Sequence, residues 1–169
     1  MSGMIELKGI TWNHTRGVVP VVAAAQRFEE LHPNVRITWE KRSLQEFADQ
    51  PLADLSAQYD LLVIDHPWAG FAAASGVLMA MEDVVGTEFL ADQAANSVGP
   101  SYQSYRYGER TWALPIDAAT PVASWRPYLL ERSGESLPAT CEEMLALAGK
   151  GMVIMPCIPQ DTIMNFYIF

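Results

Sequence analysis

Hydrophobic and polar positions change their period along the chain, and each change predicts a new element. The segment 5–10 partly alternates and predicts a strand, and the segment 35–42 alternates fully and predicts a second one. Between them, apolar residues recur at helical spacing over 18–32, which predicts a helix. The run of apolar residues in 60–65 is typical of a buried parallel strand, because helices cover both faces of a parallel sheet.

Shorter elements follow. Ser43 is the predicted N-cap of a helix that begins at Leu44, because Glu46 stands at the third helical position. The order strand–helix–strand–helix–strand–helix predicts an α/β fold with a mainly parallel sheet, flanked by helices and joined by right-handed crossovers. The other predicted elements are a helix over 69–74, a hairpin turning at 108–110, a strand over 121–125, helices over 128–131 and 142–148, a strand over 152–158 and the start of a helix over 161–169.

Composition excludes several classes of function. The 169 residues carry 11 Lys plus Arg against 20 Asp plus Glu, so the formal net charge is -9. That excess of acid argues against nucleic acid as a partner and against docking on anionic lipid, since both need clustered Lys and Arg. No run of the sequence reaches the length of a membrane span. Cys141 and Cys157 form neither a CxxC pair nor a zinc pattern, and we expect two separate buried thiols.

Polar and aromatic residues cluster where the predicted strands end. The stretches 11–17, 65–68 and 117–120 each occupy such a position. Parallel sheets bind their ligands at the carboxyl ends of the strands, so these stretches predict a binding site. Aromatic rings stack on flat apolar faces of a ligand, and charged or amide groups form hydrogen bonds with its polar groups. The candidate ligand contacts are Trp12, Asn13, His14, Arg16, Asp65, His66, Trp68 and Asp117.

Each candidate also has a purely structural alternative. Trp12 is alternatively a cap on the sheet core, and Asp65 is alternatively the N-cap of the following helix. Trp68 is alternatively packed beneath that helix. His14 and Arg16 are alternatively solvated loop residues, although Arg16 also suits a carboxylate or phosphate on an acidic ligand.

Enzymatic signatures are weak. The three histidines lack HxxxH and HxH spacing, and the sequence has no GxSxG, P-loop or GxGxxG motif. We therefore predict no catalytic residue, no metal site and no cofactor. Asp65 and Asp117 leave one enzymatic alternative open, a small hydrolase with a carboxylate pair, although the sequence does not fix their separation.

Several motifs in order resemble one family. They are a helix-to-strand junction of the F-x-x-x-x-P-x-V form at Phe28–Ile37, a Y-D-(apolar) strand end at Tyr59–His66, a G-x-L at Gly76–Leu78, an ALP strand at Ala113–Pro115 and an LP-x-T-x-E-E segment within Trp125–Glu143. Together they resemble the bacterial extracellular solute-binding proteins of family 1, the periplasmic sugar-binding subunits of ABC transporters.

The resemblance implies a fold and a function. It implies a periplasmic-binding-protein-like lobe over 1–112, then a crossover and the start of a second α/β lobe over 113–169. It also implies a small polar, sugar-like ligand held in an interlobe cleft without catalysis, and a membrane permease as partner. Trp125 matches a position where the family often places a stacking aromatic residue. The implied location is periplasmic or extracellular, whereas the absence of a signal peptide implies a cytoplasmic location if Met1 is the native start.

Length separates this chain from the family. Members are longer and have two complete lobes, so we interpret the chain as a truncated N-terminal portion. A non-functional remnant that self-associates is the alternative. The apolar segment Met152–Phe169 is expected to be buried, either in a homodimer interface or beneath a missing C-terminal half. Solvent-exposed apolar surface of that extent marks an interface or an aggregation site.

Overall fold

The computed structural model describes residues 3–119 and 122–157. The chain divides into two compact units, Met1–Ala118 and Ala119–Phe169. The first unit contains strands β1 (Ile5–Trp12), β2 (Val35–Arg42), β3 (Leu61–Leu62), β4 (Arg106–Tyr107) and β5 (Arg110–Thr111), and helices α1 (Thr15–Leu31), α2 (Leu44–Asp49), α3 (Leu52–Ser56), α4 (Trp68–Ser75) and α5 (Thr87–Asn96). The second unit contains helices α6 (Pro127–Arg132) and α7 (Cys141–Gly149).

The main sheet is parallel and has the strand order β2-β1-β3, which confirms the predicted α/β class. Strand β1 is central, with Ile10 level with both Glu40 of β2 and Leu62 of β3. The pairing with β3 extends beyond its two residues, because the amide of Val63 donates to the carbonyl of Ile10 at 2.9 Å. All three carboxyl ends therefore meet at one edge of the sheet.

Local signals in the sequence explain where two helices begin. Ser43 and Glu46 form a reciprocal capping box at α2, as predicted, and Thr140 and Glu143 form the same box at α7. Helix α4 ends at Gly76, whose φ of 67° is the left-handed conformation that glycine adopts without strain.

Two tryptophan rings pack directly against glycines in and beside the sheet. The ring of Trp39 lies over Gly9, where a Cβ atom would come within 2.5 Å of it, and the ring of Trp12 lies equally close to Gly17 of α1. Leu52 and Leu55 of α3 are each only 1% exposed. The core of the first unit thus includes buried residues of β1, α1 and α3, together with Ala69 and Ala72 of α4.

The structure corrects several predicted boundaries. Strand β1 continues to Trp12 and α1 begins at Thr15, so the predicted connector over 11–17 shrinks to Asn13 and His14. The reason is that Thr11 and Trp12 pair with β2 and their side chains are buried, despite their polar neighbours. Helix α5 has no counterpart among the predicted elements. The hairpin at 108–110 is confirmed, with Gly108 and Glu109 at its turn.

The predictions for the second unit differ more from the structure. Residues 122–125 and 152–157 are not in strands, which contradicts the predicted strands there as far as the described residues extend. A strand needs a neighbour for its backbone hydrogen bonds, and the described part of this unit contains none. Cys141 and Cys157 are free, but both are exposed rather than buried. The predicted helix over 161–169 lies outside the described residues.

Within residues 3–119 and 122–157, none of the helices has both the length and the apolar character to span a bilayer.

Candidate functional site

The carboxyl edge of the sheet brings the loops after β1, β2 and β3 together. Trp12 and Arg42 are paired at the ends of their strands, and the amide of Asn13 donates to the carbonyl of Arg42 at 2.8 Å. Asp65 and His66 follow β3 at the same edge. Asn13 and His14 after β1 and Asp65 and His66 after β3 therefore lie around one rim of the sheet.

His14 presents a hydrogen-bond donor at this rim. It is the N-cap of α1, and its Nδ1 accepts from the amide of Arg16 at 3.2 Å. A neutral imidazole that accepts at Nδ1 carries its proton on Nε2. The side chains of His14 and its neighbour Asn13 are both exposed. The Nε2–H of His14 and the side-chain amide of Asn13 are therefore accessible to a solute.

His66 presents the complementary group. Its Nε2 lies 3.2 Å from the carbonyl oxygen of Ser104, and its ring meets that of Tyr105 edge-on at 5.2 Å between centroids. A carbonyl only accepts, so Nε2 is the donor here, and in the neutral tautomer that donates from Nε2 the Nδ1 atom is an acceptor. The rim thus offers one imidazole donor and one imidazole acceptor.

Asp65 organises the turn after β3. Its Oδ1 accepts from the amide of His66 at 3.0 Å, and its carbonyl accepts from the amide of Trp68 at 3.1 Å. Burial, and then the charge of Asp65, raise the pKa of Tyr105, so that this phenol stays protonated as a hydroxyl. Sequence reasoning missed Tyr105, because it lay in a segment predicted to be one arm of the hairpin.

Arg16 and Asp117 form an ion pair beside this rim. The Nη1 atom of Arg16 lies 2.9 Å from Oδ2 of Asp117, with the side chains 50% and 27% exposed. The pair joins the first turn of α1 to the segment that follows β5. The third polar stretch of the sequence thereby reaches the loop after β1.

Beneath the rim lies a layer of aromatic rings and one arginine. Trp12 is 7% exposed and its ring lies 5.2 Å from that of Phe47, centroid to centroid. The guanidinium of Arg42 lies 5.0 Å from the centroid of Phe47 on α2, a cation–π contact. The structure thus places Trp12 in the core, as in its structural alternative, and its contact with a ligand stays a prediction.

Arg42 is a further residue that sequence reasoning missed. No role was predicted for it, and alternation along β2 places it on the same face as Thr38 and Glu40, which are exposed. Instead it is 5% exposed, because α2 covers the end of that face.

Trp68 and Trp125 are placed differently. The indole N–H of Trp68 donates to the carbonyl of Ala48 at 3.1 Å, which ties the start of α4 to α2 and leaves the ring half-buried. Trp125 belongs to the second unit, where it is 53% exposed. Their contacts with a ligand stay predictions. Among residues 3–119 and 122–157, His, Cys, Asp and Glu form no cluster suited to a metal ion.

A family model described as "bacterial extracellular solute-binding protein" matches residues 11–153. The chain belongs to this family. The match confirms the resemblance carried by the sequence motifs. A comparison with curated protein sequences gave no match.

Among solved structures, this chain is similar to the protein described as "CpMnBP1 with Mannotriose Bound". The TM-score is 0.65 at 18% identity, and the similarity covers 92% of this chain and 39% of that one. The likeness shows the fold, that of a periplasmic binding protein. The chain spans about two fifths of the length of that protein.

Proposed function

We propose that the rim formed by Asn13, His14, Asp65 and His66 binds a sugar-like solute without catalysis. The observation that carries the proposal is the convergence of three exposed side chains, Asn13, His14 and His66, and the half-buried Asp65 at the carboxyl ends of two adjacent parallel strands, β1 and β3. Ligands of open α/β sheets bind at that edge.

The chemistry of the rim suits hydroxyl groups. A hydroxyl donates one hydrogen bond and accepts others, so it is best held by a donor and an acceptor together. His14 supplies the donor at Nε2–H, and His66 supplies the acceptor at Nδ1. The carboxylate of Asp65 adds further hydrogen-bond acceptors, and the side-chain amide of Asn13 adds both a donor and an acceptor.

Membership of the family also supports a proposal about where the protein works and which partner it has. We infer that the protein works in the periplasm or outside the cell and delivers its solute to the permease of an ABC-type importer. The family description "extracellular" and the mannotriose of the similar solved structure support this assignment. An alternative hydrolase with Asp65 and Asp117 has less support, because Asp117 is already paired with Arg16.

The test is isothermal titration of the protein with a panel of neutral oligosaccharides, beginning with mannotriose, and with amino acids and short peptides as other solute classes. We expect saturable binding of a saccharide and no turnover of it. His66→Ala should weaken that binding by about tenfold, the equivalent of one hydrogen bond to a hydroxyl. His32→Ala is the matched control, because His32 is an exposed histidine at the opposite end of α1.

Three results would contradict the proposal: binding of an amino acid or peptide in place of every saccharide, hydrolysis of the bound saccharide, or equal losses in the two variants.

A further inference from the structure

Arg16, an exposed arginine in the first turn of α1, is already engaged by a carboxylate. It is two residues beyond the N-cap His14, and its Nη1 atom contacts Oδ2 of Asp117 at 2.9 Å. The Asp117 side chain is 27% exposed, less than the 50% of its partner. The pair therefore holds a cation and an anion side by side at the edge of the proposed site.

The arginine beneath the rim does not offer a substitute cation to an anionic ligand. Arg42 is 5% exposed, and its Nη2 donates to the carbonyl of Val63. Asp65 adds a carboxylate to the rim itself. A ligand at this edge therefore meets a neutralised Arg16 together with the carboxylate of Asp65.

A carboxylate on the ligand would be disfavoured twice in this setting. It would have to displace Asp117 from Arg16, and it would approach the negative charges of Asp65 and Asp117. A neutral hydroxyl meets neither cost, because it bonds to either sign of charge. Unpaired or repelling charges are an effective means of rejecting a competing ligand.

We propose that the Arg16–Asp117 ion pair sets the charge preference of the site, so that neutral sugars bind and sugars bearing a carboxylate are rejected. The proposal rests on the proposed function, since it concerns the same rim. Asp117 acts by occupying Arg16, and removal of its charge leaves the guanidinium available to an acidic sugar. Arg16 then becomes the bidentate partner of the ligand carboxylate.

The experiment compares mannotriose with trimannuronate, its carboxylated counterpart, by isothermal titration on three forms of the protein. The wild type should bind mannotriose and bind trimannuronate at least about tenfold more weakly. Asp117→Asn should raise the affinity for trimannuronate relative to that for mannotriose by about tenfold. Glu30→Gln is the matched control, because it removes the same charge from another ion pair on α1, with Arg27, and should change neither affinity.

Arg16→Gln provides an independent arm that does not depend on the folding of the Asp117 variant. It leaves Asp117 as an uncompensated anion, so trimannuronate should bind still more weakly than to the wild type. Thermal melts of all variants accompany the titrations.

The outcomes separate this inference from the proposed function. If the wild type binds neither saccharide, both the proposed function and the inference fail. If the wild type binds mannotriose but Asp117→Asn and Arg16→Gln leave the preference unchanged, the inference alone is overturned. The inference alone also fails if Glu30→Gln gives the gain expected of Asp117→Asn, because net charge rather than this pair would then be the cause.

Discussion

The Nη2 atom of Arg42 donates to the carbonyl oxygen of Val63 at 2.8 Å, across the top of β1. This bond joins the carboxyl ends of the two outer strands of the sheet. The Nη1 atom of Arg42 also lies 3.5 Å from Oε1 of Gln50, whereas its Nε is buried without a hydrogen-bond partner among the described residues. Burial lowers the pKa of Arg42, although the charges of Glu46 and others oppose it. Arg42 thus fixes the loops that carry the proposed site.

Arg42→Met tests this role. Removal of the guanidinium leaves the carbonyl of Val63 buried without its donor, a loss of about 1–3 kcal/mol in the free energy of unfolding. Arg36→Met on the same strand is the control, because Arg36 is exposed. Urea denaturation measures both. Equal midpoints for the two variants would contradict the role of Arg42.

Gly17→Ala tests the contact between α1 and the sheet. An alanine Cβ atom would lie 2.5 Å from the ring of Trp12, so the ring or the helix must move. Overpacking of this kind costs about 1–3 kcal/mol. Gly70→Ala is the control on another helix of the same unit, because its Cβ atom would meet Tyr107 at an ordinary 3.6 Å.

We expect thermal melts to show a loss of stability for the first glycine variant and no loss for the second. If the two variants melt alike, the close packing of Trp12 on Gly17 is wrong.

The fold was largely predictable, because its determinants are local. The alternation in Val35–Arg42 and the apolar run before Asp65 predicted parallel strands, and the sheet confirms both. Ser43 indicated the start of α2 through its spacing to Glu46. Helix α5 was missed, since nothing in the pattern before Thr87 marked its start with a capping side chain, and its N-cap is Gly86.

The location of the candidate residues at one sheet edge followed from the strand order, whereas their contact with a ligand stays a prediction. Strand order placed His14 and His66 at one edge, as the rule for parallel sheets implies. Burial of Trp12 was one of the alternatives that the sequence left open, and burial of Arg42 was not predicted, because both contacts depend on the ring of Phe47 on α2. No periodicity within a strand reports such a neighbour.

A cluster of titratable side chains, Lys8, Glu40 and Tyr59, lies further from the carboxyl edge of the sheet and gives a pH-dependent prediction. The hydroxyl of Tyr59 donates to Oε2 of Glu40 at 2.6 Å, and Lys8 lies 3.4 Å from the same carboxylate. The bond from Tyr59, and then the charge of Lys8, lower the pKa of Glu40. A lowered carboxylate pKa means that this contact stabilises the fold above the ordinary pKa of Glu and is lost as the pH falls through the folded value.

Tyr59→Phe should therefore raise the pKa of Glu40 towards its usual value. Carboxyl-detected NMR titration measures the change. Glu46 is the internal control, because hydrogen bonds from Ser43 lower its pKa independently of Tyr59. A pKa of Glu40 that is unchanged in the variant would show that the phenol does not contribute.

The segment Met152–Met155 gives a prediction about association. Ile154 is 95% exposed, and Met152 and Met155 are 39% and 46% exposed. We expect this 169-residue chain, when isolated, to associate at micromolar concentration, since apolar surface drives such contacts. Ile154→Lys should reduce association in light scattering, whereas Val98→Lys, at an exposed valine of the first unit, should not. A well-behaved monomer with a cooperative melt would contradict this.

Binding of a saccharide at the carboxyl edge of the sheet can be tested with the three histidines of the chain in one spectrum. His14 and His66 lie at that edge, whereas His32 lies beyond the opposite end of α1, at the amino end of β2. Long-range 1H–15N NMR of the imidazoles, recorded during titration with the saccharide that binds best, should shift the signals of His14 and His66 and leave those of His32 in place. Saturation of binding with His14 and His66 unmoved, or with His32 moving in their stead, would contradict binding at this edge.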